Sequence, residues 1–124
     1  MTILEPYRQF SDSRGQMLGV INDGKWEEIN YVETAAGCVR GGHYHRNTRE
    51  LFLIISGTIK VRVRPVNGRK TKEQTFYGGD IFVIEPGEVH WFETISDCAW
   101  INVLSKHFNA AAPDLIPVSA QIAA

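Results

Sequence analysis

The sequence predicts an all-β domain of the sandwich or barrel class, and three observations carry that reading. Residues 58–64 alternate Ile59, Val61 and Val63 with Lys60, Arg62 and Arg64, which gives a strand one dry face and one wet face. Asn67-Gly68 follows, a pair that marks a short hairpin because both turn positions favour positive φ. Turn residues recur at Gly57, Gly78-Gly79-Asp80 and Pro86-Gly87, and they cut the chain into segments of strand length. No stretch carries the apolar period of an amphipathic helix.

The elements follow in order. Gly15 and Asp23-Gly24 punctuate the first part of the chain into short strands. Residues 28–35 hold the β-formers Ile29, Tyr31, Val32 and Thr34. Residues 50–56 are rich in Leu, Ile and Phe and end at Gly57. After the alternating strand, residues 70–77 return along it. Residues 81–84 form a buried strand, and residues 90–95 and 99–104 complete the pattern. Residues 109–124 are Ala-rich with two prolines and are expected to cross a barrel face or a partner subunit.

Size and composition narrow the function classes. A chain of 124 residues suits one domain, residues 1–124, with a core at 28–106 and a tail at 107–124. At this length roughly 65% of the unfolded surface is buried on folding, so no staple is required. The net charge of -1 gives no reason to expect nucleic acid or an anionic membrane as partner. The longest apolar run, residues 51–55, is far too short to span a bilayer. No apolar leader follows the first residues, so the expected location is cytoplasmic. Cys38 and Cys98 lack metal-type spacing and are expected as reduced, buried thiols.

Chemistry concentrates in His43, His45, Glu50 and His90. The two-residue step from His43 to His45 puts both rings on one face of a strand. Glu50 lies five residues after His45, an odd offset that would aim it the other way on an unbroken strand. Residues 46–49 are therefore expected to bend and swing Glu50 back. His90 opens a later strand, with Phe92 and Thr94 on its face. Three imidazoles and a carboxylate suit a borderline divalent ion and leave positions open for water or substrate.

These residues resemble the cupin superfamily. Its first motif, G-x5-H-x-H-x4-E-x6-G, is matched by Gly37, His43, His45, Glu50 and Gly57. Its second, G-x5-P-x-G-x2-H-x3-N, is matched by Gly79, Gly87 and His90, with Glu85 and Thr94 at the proline and asparagine positions. The resemblance implies a single-domain cupin barrel, a double-stranded β-helix or jelly roll. It also implies one divalent transition metal (Zn, Mn, Fe or Ni) on His43, His45, Glu50 and His90, although some cupins use these residues without metal.

Two strings narrow the resemblance. Asp12-Ser13-Arg14-Gly15 and Arg40-Gly41-Gly42-His43-Tyr44-His45 look like the sugar-nucleotide cupins. These include dTDP-4-dehydrorhamnose 3,5-epimerases, 3,4-ketoisomerases acting on dTDP-4-oxo sugars, and cupin domains of capsular-polysaccharide epimerase-reductases. The implied chemistry is proton movement beside the ketone of a 4-keto hexose on a nucleoside diphosphate. A neutral imidazole suits the base role, with His43 or His45 as candidate in a metal-free site. If both histidines ligate a metal, the base falls to Glu85, Tyr31 or His107. Arg14 and Arg40 could grip a pyrophosphate, and Tyr31 and Trp91 could stack on a sugar or base. The rival readings are a metal-dependent oxygenase or lyase, and a sugar-binding cupin without catalysis. A homodimer is expected, because cupins commonly pair through exposed strand edges.

Overall fold

Every regular element in residues 1–118, the span that the computed structural model describes, is a β-strand. Residues 119–124, the end of the expected tail, lie outside the described residues. In chain order the strands are β1 (Thr2–Leu4), β2 (Arg8–Asp12), β3 (Gly15–Gly19), β4 (Glu28–Thr34), β5 (Val39–Tyr44) and β6 (Glu50–Ser56). They continue as β7 (Ile59–Pro65), β8 (Lys72–Phe76), β9 (Ile81–Ile84), β10 (Glu88–Thr94), β11 (Cys98–Leu104) and β12 (Ile116–Pro117). One five-stranded sheet runs β1-β9-β6-β11-β4 and a second runs β12-β5-β10-β7-β8. Every pairing is antiparallel, and β2 with β3 makes a separate two-stranded hairpin. The two sheets form the expected jelly roll.

The alternation seen in the sequence decides which side chains meet between the sheets. Ile59, Val61 and Val63 point inward from β7, while Phe52 and Ile54 come from β6, Phe82 and Ile84 from β9, and Phe92 from β10. Phe52 and Phe76 stack on Phe82, and Phe92 meets Phe52 and Trp100 edge-on, so one end of the barrel is filled with rings. Strand β9 and the first part of β6 lack alternation because both their faces are covered, whereas Ile55 near the end of β6 is exposed. Their other face, with Leu51, Ile81 and Val83, packs under Leu4, Val20, Ile21 and Trp26.

Three details depart from the sequence expectation. The hairpin of β7 and β8 forms, with Ile59 opposite Phe76 and Val63 opposite Lys72. Its connection, residues 66–71, is longer than a two-residue turn, and neither Asn67 nor Gly68 has a positive φ. The tight turn instead closes from Gly68 N–H to the Pro65 carbonyl, at 2.9 Å. The sheets also extend beyond the expected core, because β1 pairs with β9 and β12 with β5. Cys98 is buried as expected, but Cys38 is exposed at the turn before β5.

Candidate metal-binding and catalytic site

The site lies between β5 and β10 of one sheet and β6 and β11 of the other. His43 and His90 are cross-strand neighbours on β5 and β10. Their ring centroids are 4.6 Å apart, and the His45 ring lies 5.1 Å from His43. Glu50 faces them from the start of β6. The four donor atoms, one from each of His43, His45, Glu50 and His90, all lie within 4.8 Å of one another.

Each donor is aimed by a local device. After His45 the chain bends over residues 46 and 47, and β6 then starts at Glu50. The bend converts the odd five-residue offset into a shared direction. His90 Nδ1 donates to the Glu88 carbonyl at 3.0 Å, and His45 Nδ1 donates to the Asp114 carbonyl. A carbonyl only accepts, so both rings carry their proton on Nδ1 and turn Nε2 toward Glu50. The His90 Nε2 to Glu50 Oε1 distance is 3.8 Å, and His45 Nε2 makes close contact with the same oxygen. The other Glu50 oxygen accepts the Asn102 amide at 2.9 Å. Among the described residues, neither ring nitrogen of His43 has a hydrogen-bond partner.

Strand β5 needs a further device, because Arg40 and His43 are three apart and a regular strand would separate their faces. The register against β10 shifts between His90 and Trp91, where Gly41 and Gly42 adopt φ of 95° and 77°. This bulge puts Arg40, which stays solvent-exposed, on the same side of β5 as His43. Glycine is required at the first position, since a Cβ on Gly41 would lie 2.5 Å from the His90 carbonyl oxygen. Arg40 reaches back to brace β4, with Nε donating to Thr34 Oγ1 at 2.8 Å and a terminal nitrogen donating to the Glu33 carbonyl.

Electrostatics divide the histidines. Burial, together with the neighbouring His90 and His45 rings, pushes the His43 imidazole down to about 4, so it is neutral at physiological pH. Burial likewise lowers His90. Burial opposes charge on His45 too, but the Glu50 carboxylate outweighs it and raises that ring above its ordinary value. In return the His45 contact, the His90 ring and the Asn102 amide overcome burial and hold Glu50 below the usual carboxylate range.

A cavity of about 160 Å³ opens beside this cluster, lined by Arg40, His43, Glu50, His90 and Asn102, with Phe52, Phe92 and Trp100 as its apolar walls. Arg40 therefore joins three of the four donors, His43, Glu50 and His90, at one cavity, while His45 lies behind them against the segment that carries Asp114. Tyr31 does not join them, because it points outward from β4, 61% exposed, and donates to Glu33. Trp91 is 3% exposed, faces away from the cavity and packs under Arg64. Arg14 sits on the β2–β3 hairpin, where it is paired with Asp12. Glu85 pairs with Arg49 and His107 with Glu27, both away from the cavity. Sequence reasoning missed Asn102 and Asp114, which carry no motif signal, although the alternation of β11 puts Asn102 on the inward face with Trp100.

The donor set fits a divalent cation. With Nδ1 protonated, a neutral His45 ring turns a lone pair toward the Glu50 oxygen, and His45 Nε2 is buried without a hydrogen-bond partner among the described residues. A lone pair against an anionic oxygen is favourable only when a cation, either a proton or a metal ion, lies between them.

Comparisons with known proteins agree with this architecture. Residues 10–116 match the Polysaccharide biosynthesis C-terminal domain family. A segment of 56 residues is 30% identical to the UDP-2-acetamido-2,6-beta-L-arabino-hexul-4-ose reductase of Pseudomonas aeruginosa, covering 45% of this chain and 15% of that enzyme. The capsular polysaccharide assembling protein CapF of Staphylococcus aureus superposes with a TM-score of 0.72 at 24% identity, over 94% of this chain and 34% of that one. The chain thus spans a small part of these two relatives. A 3,4-ketoisomerase from Helicobacter canadensis superposes with a TM-score of 0.79 at 17% identity, over 91% of this chain and 87% of that one. A dTDP-4-dehydrorhamnose 3,5-epimerase from Bacillus anthracis also gives 0.79, at 19% identity, over 94% of this chain and 77% of that one. At these identities the structural likeness establishes the fold. No helix among the described residues is long and apolar enough to cross a membrane.

Proposed function

Because the chain belongs to the Polysaccharide biosynthesis C-terminal domain family, we propose that it is a sugar-nucleotide isomerase or epimerase. It would move a proton beside the ketone of a 4-keto hexose carried on a nucleoside diphosphate. The observation that carries this reading is one cavity lined by a neutral imidazole, a buried carboxylate and an exposed arginine. The family and the epimerase and ketoisomerase folds reported above support it.

The residues divide the work by how they are held. His45 and His90 have Nδ1 fixed by main-chain carbonyls and Nε2 turned to Glu50, so they act as holders. His45, Glu50 and His90, joined by His43, would hold a divalent ion such as Zn, Mn, Fe or Ni. Such an ion, when bound, polarises a ketone oxygen as a Lewis acid. His43 is the ring with no orienting partner among the described residues, and at physiological pH it is neutral, so one of its two ring nitrogens offers a free lone pair. It is the candidate base when it does not ligate. With its other ring nitrogen protonated, it would use that lone pair to take the proton from the carbon beside the ketone and return it to a different atom or face. Arg40 supplies a positive charge at the cavity for the developing enediolate or a phosphate oxygen. The apolar walls of Phe92 and Trp100 exclude water from that step.

The test is incubation in D₂O with a nucleoside-diphosphate 4-keto-6-deoxyhexose. Deuterium is expected at the carbon beside the ketone, with the exchange rate reduced about 100-fold or more in His43→Asn. Absence of exchange with every 4-keto hexose nucleotide tried, from a metal-supplemented sample, overturns the assignment. Elemental analysis is expected to find close to one divalent ion per chain.

A homodimer is part of the same proposal. Strand β4 is a sheet edge, and Ile29 and Tyr31 on it are exposed at 68% and 61%. The β2–β3 hairpin belongs to neither sheet and exposes Phe10 and Met17. An isolated two-stranded hairpin is marginal in water, so a second chain that covers it would also steady Arg14.

A further inference from the structure

The segment after β11 runs from one sheet to the edge of the other and is tied down along its course. Ser105 N–H donates to the Arg49 carbonyl, Ile116 pairs with Tyr44, and Val118 N–H donates to the Gly42 carbonyl. Between these ties it passes beneath the bend that joins His45 to Glu50. Asp114 is where strap and bend meet. Its carboxylate accepts the Arg46 N–H at 2.7 Å, and the Asn47 N–H and the Thr48 hydroxyl at 2.8 Å each. Its main-chain carbonyl accepts His45 Nδ1–H. One residue therefore satisfies the donors that the bend exposes and fixes the ring that the bend carries.

We propose that Asp114 is the positioning residue of the donor cluster, holding residues 46–48 in their bend so that its own carbonyl locks His45 with Nδ1–H outward and Nε2 toward Glu50. The chemistry requires this, because an imidazole free to turn offers either nitrogen and shares no direction with a donor five residues away. His90 gives the contrast within the same site. Its Nδ1–H is held by the Glu88 carbonyl, on its own strand, and does not depend on the strap. Side chains or carbonyls that orient a ligating imidazole commonly change metal affinity by about 10–100-fold. That consequence rests on the cation reading above, whereas the ring orientation does not.

The experiment is a ¹H–¹⁵N spectrum of the histidine ring N–H groups in the full chain, for the wild type, Asp114→Ala and Asp114→Asn. In the wild type both the His45 and His90 Nδ1–H protons are expected to be protected from solvent exchange. In Asp114→Ala the His45 signal is expected to be lost to exchange while that of His90 persists. Asp114→Asn keeps an acceptor oxygen, so it should retain part of the His45 protection. Zinc affinity by competition with a chromogenic chelator is expected to fall about 10–100-fold in Asp114→Ala. Retention of the His45 signal in both variants, or its loss together with His90 in both, overturns the proposal, since Asp114 would then be inert or a general staple of the fold. A wild type that binds no zinc removes the cation reading and leaves the ring result to decide on Asp114.

Discussion

Gly41 shows how one residue sets the geometry of the whole cluster. The His90 carbonyl approaches so closely that a Cβ on Gly41 would sit 2.5 Å from it, and φ is 95° as well. Gly37 has a φ of 76° but no atom within 4 Å of an added Cβ. Replacing each by alanine therefore separates backbone strain from collision. Gly37→Ala is expected to destabilise the fold by about 1 kcal/mol, the penalty of a left-handed conformation alone. Gly41→Ala is expected to lose about 2–4 kcal/mol and to displace His90, with weaker metal binding as a second symptom. Urea denaturation of the two variants reads the difference, and equal losses would show that the close approach does not matter. This residue also marks the limit of what spacing reveals. The pattern of His43, His45, Glu50 and His90 located the cluster, because each spacing maps onto a strand face or a bend. That Arg40 shares the cavity with His43 does not follow from parity. Parity separates residues three apart, and only the bulge at Gly41 and Gly42 restores them to one side.

Among the elements, the strands were legible where one face is wet, as in β7, and where apolar residues run together, as in β6 and β9. The short strands β1 and β12 were not, since they take their order from pairing with β9 and β5 rather than from their own residues. The strap that carries β12 reads as featureless Ala-rich chain, yet Asp114 bonds across more than 60 residues to the bend. That link carries a pH dependence. Burial would raise the Asp114 carboxyl, but the Arg46 and Asn47 N–H groups and the Thr48 hydroxyl outweigh it and hold the group below 3.8, its ordinary value. Between the folded value and 3.8 the unfolded chain binds more protons. The stability from this group is therefore complete above 3.8 and is lost as the pH falls through the folded value. Asp114→Asn is expected to be less stable than the wild type by about 1 kcal/mol at neutral pH, because the bend loses a charged acceptor at a partly exposed site. The gap should shrink below pH 3.8 in urea midpoints measured against pH. A gap that stays constant into acid would mean that the charge on Asp114 does not hold the bend.

At the scale of the whole molecule, the two faces of the β4-containing sheet have different fates. Its inner face is filled by the aromatic core. Its outer face is covered only in part by Val20, Ile21 and Trp26, which pack over Leu51, Ile81 and Val83. Ile29, Tyr31 and Ile55 on the same sheet remain exposed, at 68%, 61% and 44%. These exposed apolar side chains on one sheet face, and those on the hairpin that lacks a sheet of its own, are the surface that the proposed second chain would cover. A two-fold arrangement would let each hairpin lie against the other chain and would cover both patches with one interface. A stable interface of this kind buries about 800 Å² per partner. Light scattering coupled to size exclusion is expected to report a dimer at micromolar concentration. Tyr31→Lys puts a charge at the centre of the patch without touching the cavity, where Tyr31 has no part. It is expected to weaken dimerisation by about 2 kcal/mol, or about 30-fold in Kd. The barrel should survive in that variant, because Tyr31 contributes little to its core, and near-UV circular dichroism would show the ring packing unchanged. If the patch is the interface, Ile29→Lys should act in the same direction. A wild type that runs as a monomer at every concentration would mean that this face is covered by something other than a second copy.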